Sequence, residues 1–428
     1  MSAFDIAAVL VVLTALFGYL NHQFLHLPQS IGLVVVSLFA SFCVLLVDVV
    51  FPASTALADA RDFVEGIDFY AAVMDGMLGF ILFAGALHVN VADLREERLT
   101  VLLMATVGLL ISTAIVGLGF AWLIGVPLLV ALVFGALISP TDPVAVLGLL
   151  KIVRVPKEIQ IRIGGESLFN DGVAVVVFLI LVEIAFGGGQ GGGGEEEGAG
   201  VALTVLRLFA QEALGGALLG AAAGWLTFFL LRRVDEYVLE VTLTLALVMG
   251  VYALATRLHT SGPIAVVVAG ILIGNRGFEA GMSARTRLHV QNFWHLIDEI
   301  LNAALFLLIG IEVLAIPFKL EQSLILSLAV PLVLLARLIA VYLPISLLSL
   351  HRTFTPGTKR ILVWGGLRGG ISVALALSLP GGEWKHLILE ATYIVVVFSI
   401  IVQGLTMRRV VAAALPDAVK EQTEAEAS

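Results

Sequence analysis

Long apolar segments dominate the chain, and they constrain its fold more than any other feature. Thirteen segments approach the roughly 20 residues that a helix needs to cross the hydrocarbon core of a bilayer. Apolar residues make up 60% of the sequence and charged residues only 13%, whereas about a quarter of the residues in soluble domains are charged. The sequence therefore predicts an all-α polytopic membrane protein. The predicted spans are 4–20, 31–51, 70–90, 99–124, 126–150, 163–186, 201–231, 237–257, 262–275, 293–315, 322–350, 360–379 and 388–411.

The basic residues are distributed unevenly between the two sides of these spans. Of the 24 Lys and Arg residues, 17 fall on alternate connections, five fall on the opposite connections, and Arg337 and Arg368 lie inside spans. Lys and Arg are enriched in cytoplasmic loops. We therefore expect an N-terminus outside and a C-terminus in the cytoplasm of a plasma membrane, such as a bacterial inner membrane. Because segment 4–20 lacks the basic start of a signal peptide, it is interpreted as a retained helix.

Several classes of function find no support in the sequence. The single cysteine, Cys43, lies in an apolar segment, so intrachain disulfides and thiolate metal sites are excluded. No basic stripe with interleaved aromatic residues indicates nucleic-acid binding. No P-loop, zinc-protease motif or nucleophile elbow indicates an ATP-driven pump or a hydrolytic enzyme. We expect a non-enzymatic protein without a cofactor, although a cation channel stays open as an alternative to a transporter.

Two predicted helices contain breaks near mid-membrane. Span 126–150 contains the string SPTDP at 139–143, and span 360–379 contains GGLRGG at 365–370. Proline removes an amide donor and clashes with the preceding turn, so the first segment cannot continue as a regular helix. Four glycines around Arg368 make the second segment a weak point. Backbone freed in this way at membrane depth is tolerated where it is packed against protein or lines a cavity.

The two breaks occupy corresponding positions in the chain. Each lies in the fifth span of a six-span unit, and the two units enter the membrane from opposite sides. Matched interruptions of this kind in inverted halves indicate a secondary-transporter site at the midplane. The predicted organisation is a first inverted repeat at 1–186, an acidic Gly-rich loop with a connector helix at 187–236, a second repeat at 237–411 and a short cytoplasmic tail at 412–428.

The sixth span carries an unusual set of polar residues. Residues four apart share a helix face, so Ser167 lies beside Asp171, and Glu166 lies beside Asn170 on the neighbouring face. The hydroxyl and the carboxylate of the first pair are hard oxygen ligands that suit an alkali cation. Glu166 requires a positive partner, and Arg337 is available in the apolar span 322–350. We therefore predict a structural ion pair between Glu166 and Arg337.

Asp171 is then the acid without an obvious permanent counter-charge. A carboxylate removed from water holds a proton more readily. It can hold a proton or a cation but not both, which is the minimal requirement for exchange. In the breaks, Asp142 can meet free amide donors and Arg368 can offset freed carbonyls, although both could act only as electrostatic caps. Seven other ionisable residues are weaker candidates. They could act in the ion pathway, in gating or in pH sensing, or they could be ordinary polar residues near the membrane interface or between helices. They are Asp75, Glu212, Glu240, Asp298, Glu299, His88 and His295.

Four strings carry a resemblance to a known family. They are SPTDPVAVLGLLK (139–151), GESLFNDGVAVVVF (165–178), LLARLIAV (334–341) and GGLRGGISVALALSLP (365–380). In this order they resemble the monovalent cation–proton antiporters of the NhaP/NHE type. The resemblance implies the NhaA/NhaP-like fold of about thirteen helices with crossed broken helices, a homodimer and an elevator-like cycle. It implies exchange of Na+ or Li+ for H+, with K+/H+ exchange as the alternative.

The resemblance also implies roles for individual residues. Asp171 would bind the cation or the proton, and Asp142, Ser167 and Thr141 would complete a Na+ site. Asn170 would orient that site, and an Asn before Asp171 marks the branch of the family that looks electroneutral.

Four further positions are compared with the family's pattern. The Glu166–Arg337 pair resembles the family's structural ion pair, and Arg368 resembles the arginine at its helix crossing. One position departs from the pattern, because Ala84 stands where many relatives carry an acid.

Overall fold

The computed structural model describes residues 3–51, 56–143, 146–147, 155–186, 198–316 and 318–416. These residues form helices and connections, without a β-strand. The helices, numbered α1 to α19 in chain order, are Ala3–Leu20, Gln29–Val50, Ala56–Glu65, Leu78–Leu87, Val91–Leu103, Leu109–Ile124, Leu128–Ile138, Lys157–Phe186, Gly198–Leu231, Tyr237–Arg257, Gly262–Leu272, Phe278–Ala280, Ala284–Ile311, Leu320–Leu326, Ala329–Leu348, Thr358–Trp364, Gly370–Leu377, Glu383–Phe398 and Gly404–Ala414. Short π-helical segments lie at Asn21–Leu25, Ala71–Met77, Met104–Gly108, Ile273–Gly277 and Ser399–Gln403, and a 3₁₀ turn at Glu312–Leu314.

The helices confirm the prediction of an all-α polytopic membrane protein. Within the described ranges, nine helical segments are long and apolar enough to cross a membrane, and Ala71–Leu87 and Leu128–Ile138 are shorter apolar helices. Of the other two predicted spans, 293–315 lies on the long helix α13, and 360–379 is divided between α16 and α17. The predicted acidic loop at 187–200 and the tail at 412–428 lie largely outside the described residues.

Two helices extend beyond the apolar segments that predicted them. Helix α8 begins at Lys157 rather than at residue 163, and α13 begins at Ala284 rather than at residue 293. Both extensions are polar. Ser283 caps α13 by accepting a hydrogen bond from the Thr286 amide at 3.3 Å, which stabilises a helix start that hydropathy does not reveal.

The helices form two bundles. In the first, α13 packs against α1, α2 and α4, and α11 packs against α4, α9 and α10. In the second, α7 packs against α6 and α8, α5 against α8, α6 against α15, and α17 against α18. Helix α8 also contacts α9 and α11, so it lies where the bundles meet. Each bundle therefore draws its helices from both halves of the chain.

Connections that carry many of the basic residues meet at one end of the molecule. The Arg352 Nη1 donates to the Glu96 carbonyl at 2.8 Å, and the Lys157 Nζ lies 2.5 Å from Asp93 Oδ2. Thr355 Oγ1 donates to Glu158 Oε2 at 3.3 Å. We call this the basic end. Connections that are far apart in sequence therefore lie on the same side, as the charge pattern requires.

Candidate functional site

The two helix breaks lie against each other, and each provides partners for backbone groups of the other. Helix α7 ends at Ile138, and the second break separates α16 from α17. The Asp142 amide donates to the Leu367 carbonyl at 2.8 Å. The Arg368 Nη1 donates to the carbonyls of Ser139 and Pro140, the latter at 2.8 Å. Arg368 is 2% exposed, so its charge offsets carbonyl oxygens of the first break in a buried position.

Two glycines of the second break allow charged side chains to approach the backbone closely. A Cβ at Gly369 would lie 2.3 Å from Asp142 Oδ2, and a Cβ at Gly366 would lie 2.3 Å from Arg337 Nε. Neither distance is compatible with a real side chain. The glycines therefore make room for the Asp142 carboxylate and the Arg337 guanidinium.

A hydrogen-bonded group joins the first break to α8. The Thr141 and Ser167 hydroxyl oxygens lie 2.9 Å apart, and either can donate. Asn170 Nδ2 donates to Thr141 Oγ1 at 2.9 Å, and the Thr141 amide approaches Asn170 Oδ1 at 3.4 Å. Each of the three side chains is about 2% exposed. The structure thus brings together three of the residues that were predicted to form or orient a cation site.

The two predicted carboxylates lie beside this group, in the wall of one cavity. Asp142 and Asp171 line a cavity of about 470 Å³, and Asp171 is 5% exposed. The two carboxylates are close enough to interact electrostatically. Towards the basic end the same cavity is lined by His88, Asn90 and Lys157, which are exposed. The cavity therefore connects the half-buried Asp142 and the buried Asp171 with the solvent at the basic end.

Glu166 and Arg337 form a buried ion pair. Arg337 Nη1 contacts Glu166 Oε1, and Nη2 lies 3.0 Å from Oε2, so the pair is bidentate. Arg337 also donates from Nη2 to the Leu362 carbonyl at 2.9 Å. These contacts tie α8 to α15 and to the end of α16. Because Glu166 precedes Asp171 by little more than one turn, the pair fixes the part of α8 that carries the cavity acid.

A second buried ion pair on α8 was missed by sequence reasoning. Arg162 Nε and Nη2 lie 2.8 and 2.9 Å from the two carboxylate oxygens of Glu97, and the guanidinium lies over the Phe354 ring at 4.8 Å. Arg162 is one of the 17 basic residues that the sequence assigns to connections, because the apolar segment 163–186 begins after it. The available signal was its spacing, since Arg162 precedes Glu166 by four residues on the same helix face.

The weaker candidates separate into distinct groups. Four of them line the cavity, namely His88, His295, Asp298 and Glu299. Glu240 is instead fully buried in the first bundle, where neither carboxylate oxygen has a hydrogen-bond partner among the described residues. Ala84 is completely buried, and the residue that lines the cavity beside it is Gly85.

Helix breaks that meet inside a membrane protein, with two carboxylates beside them in the wall of one cavity, define a secondary transporter of small ions. Residues 11–413 match the family described as "Sodium/hydrogen exchanger, transmembrane". The chain belongs to the sodium/hydrogen exchanger family, whose members are transporters in the membrane.

Curated relatives and solved structures agree with this membership. The chain is 47% identical over 415 residues to the Na(+)/H(+) antiporter NhaP of Pseudomonas aeruginosa, covering 94% of this chain and 95% of that protein. It is 36% identical to the Na(+)/H(+) antiporter NhaH of Halobacillus dabanensis, covering 89% and 90%. The sodium proton antiporter MjNhaP1 of Methanocaldococcus jannaschii has the same fold, with a TM-score of 0.73, 20% identity, and coverage of 96% and 98%.

Proposed function

We propose that the protein exchanges Na+, or Li+, for H+ across the membrane, and that the two ions compete for Asp171. The cation would be held by the carboxylates of Asp171 and Asp142 together with oxygens of Thr141 and Ser167. Asn170 would hold the Thr141 hydroxyl in place. The alternative cation is K+ on the same scaffold.

One observation carries this proposal. Two carboxylates line one cavity at the point where the first broken helix meets the hydroxyl and amide group on α8. Carboxylate, hydroxyl and carbonyl oxygens are the ligands that hard cations select. A carboxylate at this depth is retained mainly for function. Loss of the cation leaves an acid that a proton can neutralise, so one site serves both ions in turn.

The stoichiometry of exchange and the orientation in the membrane are also part of the proposal. Exchange of one cation for one proton moves no net charge, and the resemblance of the Asn170–Asp171 pair to the electroneutral branch supports it. The distribution of basic residues supports a plasma membrane location with the basic end in the cytoplasm. The cavity would then be open to the cytoplasm. The inverted repeats and the homodimer are further parts of this proposal, and no cofactor or enzymatic step is required.

The test uses purified protein in proteoliposomes that contain a pH-sensitive dye. Na+, Li+ and K+ are added outside in turn, and each transported cation should move protons in the opposite direction. Asp171→Asn should abolish the coupled flux, because the amide can neither release a proton nor offer a charge to the cation. A variant that still couples cation entry to proton exit would contradict the assignment of Asp171. A rate that changes with the membrane potential would contradict one-for-one exchange.

A further inference from the structure

A third cavity acid belongs to the other bundle. Asp298 lies on α13 and lines the same cavity as Asp142 and Asp171. Asn302, one turn further along, donates from Nδ2 to Asp298 Oδ1 at 2.8 Å and to the Asp298 carbonyl at 2.9 Å. Asn302 is 5% exposed and lines the cavity as well. The Asp298 carboxylate is therefore held in a defined position at the cavity wall.

The other charged groups near the mouth of the cavity are arranged differently. Lys157 and Asp93 pair with each other at 2.5 Å, which cancels their charges. His295 and Glu299 are exposed, and His295 Nδ1 lies 4.0 Å from Glu299 Oε1. Within the described part of the chain, no Lys, Arg or His nitrogen lies within salt-bridge distance of Asp298. Asp298 therefore contributes a negative charge that no described ion pair neutralises, in the same cavity as the two site acids.

Helix α13 carries the Asp298 charge in a different bundle from the two site acids. Helix α13 packs in the first bundle, against α1, α2 and α4, whereas Asp142 and Asp171 are carried by the second bundle. Alternating access requires the two bundles to move relative to each other. The distance from Asp298 to the two site acids must then differ between the state that is open to the basic end and the state that is open to the opposite end.

We propose that Asp298 is a side-specific affinity residue, which raises the apparent affinity for Na+ at the basic end and leaves it unchanged at the opposite end. The inference rests on the proposed function. A negative charge in a cavity with largely apolar walls focuses the electrostatic field and raises the local cation concentration. Asp298 does so for the cavity seen in this structure. When the site faces the other side, the carboxylate stays behind on α13.

The experiment compares the two faces of the membrane. Transport is measured in everted and in right-side-out membrane vesicles from a host that lacks its own antiporters, so that Na+ reaches one face at a time. For Asp298→Asn we expect the KM for Na+ at the cytoplasmic face to rise at least about threefold with an unchanged maximum rate, and the KM at the outer face to stay unchanged. The asparagine is similar in shape and can still pair with Asn302.

Three comparisons separate an electrostatic role from a structural one. Asp298→Glu keeps the charge and should stay close to wild type. Glu279→Gln removes an exposed acid that does not line the cavity, and it should change neither KM. The effect of Asp298→Asn should shrink as choline chloride is added, because salt screens a charge but does not repair a structural defect. Asn302→Ala, which frees the carboxylate, should give a smaller effect on the same face.

The inference and the proposed function can fail separately. Suppose that wild-type exchange is intact and Asp171→Asn is inactive. If Asp298→Asn then changes the KM for Na+ by the same factor at both faces, at neither face, or only at the outer face, this inference alone is overturned. A rise at the cytoplasmic face that does not respond to salt also overturns it. Coupled exchange by Asp171→Asn would instead overturn the proposed function.

Discussion

Replacing Glu166 by glutamine tests how strongly α8 is held in place. The substitution removes the negative partner of Arg337 but leaves a side chain of the same length. Glu166 is 2% exposed and Arg337 is 7% exposed, so water cannot replace the lost charge. The guanidinium would keep the Leu362 carbonyl and a neutral amide oxygen as acceptors, but it would have no negative partner. Breaking a buried pair by removing one partner costs about 3–5 kcal/mol of unfolding free energy.

The chain offers a matched control on the same helix. Lys157→Gln breaks the Lys157–Asp93 pair, whose side chains are 72% and 27% exposed. Exposed ion pairs contribute about 0–1 kcal/mol, so this variant should unfold almost like wild type. The double variant Glu166→Gln with Arg337→Gln removes both charges. It should be more stable than the sum of the single changes predicts, with a coupling energy of about 1–3 kcal/mol.

Unfolding would be followed by tryptophan fluorescence as a denaturing detergent is titrated into mixed micelles. The free energies of the four proteins in the cycle give the coupling energy directly. The reasoning is refuted if Glu166→Gln loses no more stability than Lys157→Gln, or if the coupling energy is close to zero.

Two other substitutions test the geometry of the site. Asn170→Ala removes a hydrogen bond to Thr141 Oγ1 and the contact with the Thr141 amide. Each hydrogen bond contributes about 0.5–1.5 kcal/mol, so the loss of this positioning should raise the KM for Na+ by about tenfold. Proteoliposome transport measures it, and an unchanged KM would show that the Thr141 hydroxyl needs no positioning. Gly369→Ala places a Cβ 2.3 Å from Asp142 Oδ2, so transport should be lost while size-exclusion chromatography still shows a folded protein. Full activity of this variant would mean that Asp142 can move away without consequence.

The sequence was sufficient for the class of fold, and it pointed to residues that the structure brings together at the first break. Apolar segments of spanning length predict helices directly, because the bilayer leaves few other structures available. The breaks at SPTDP and GGLRGG were visible because Pro and Gly have strong local effects. Spacing on α8 placed Ser167 beside Asp171 and singled out Glu166 as an acid that needs Arg337. These inferences use local information, except that Arg337 was identified as the partner because it is an isolated charge in an apolar span.

Other features depend on contacts between distant segments, which spacing does not contain. Glu97 and Arg162 are 65 residues apart, and nothing local shows that they form a buried pair. The position of Asp298 in the cavity depends on how α13 packs against the second bundle. The polar starts of α8 and α13 were missed for another reason. Hydropathy marks the part of a helix that lies in lipid, whereas capping and ion pairs extend the helix beyond it.

Competition between Na+ and H+ for one carboxylate is the central claim, and Na+ binding to purified protein at a series of pH values tests it most directly. On the acidic side of the profile, the apparent Kd for Na+ should rise about tenfold for each unit of pH, because one bound proton must leave before the cation enters. Asp171→Asn should show no such dependence. A Kd that stays constant with pH in the wild-type protein, while exchange continues, would contradict the claim.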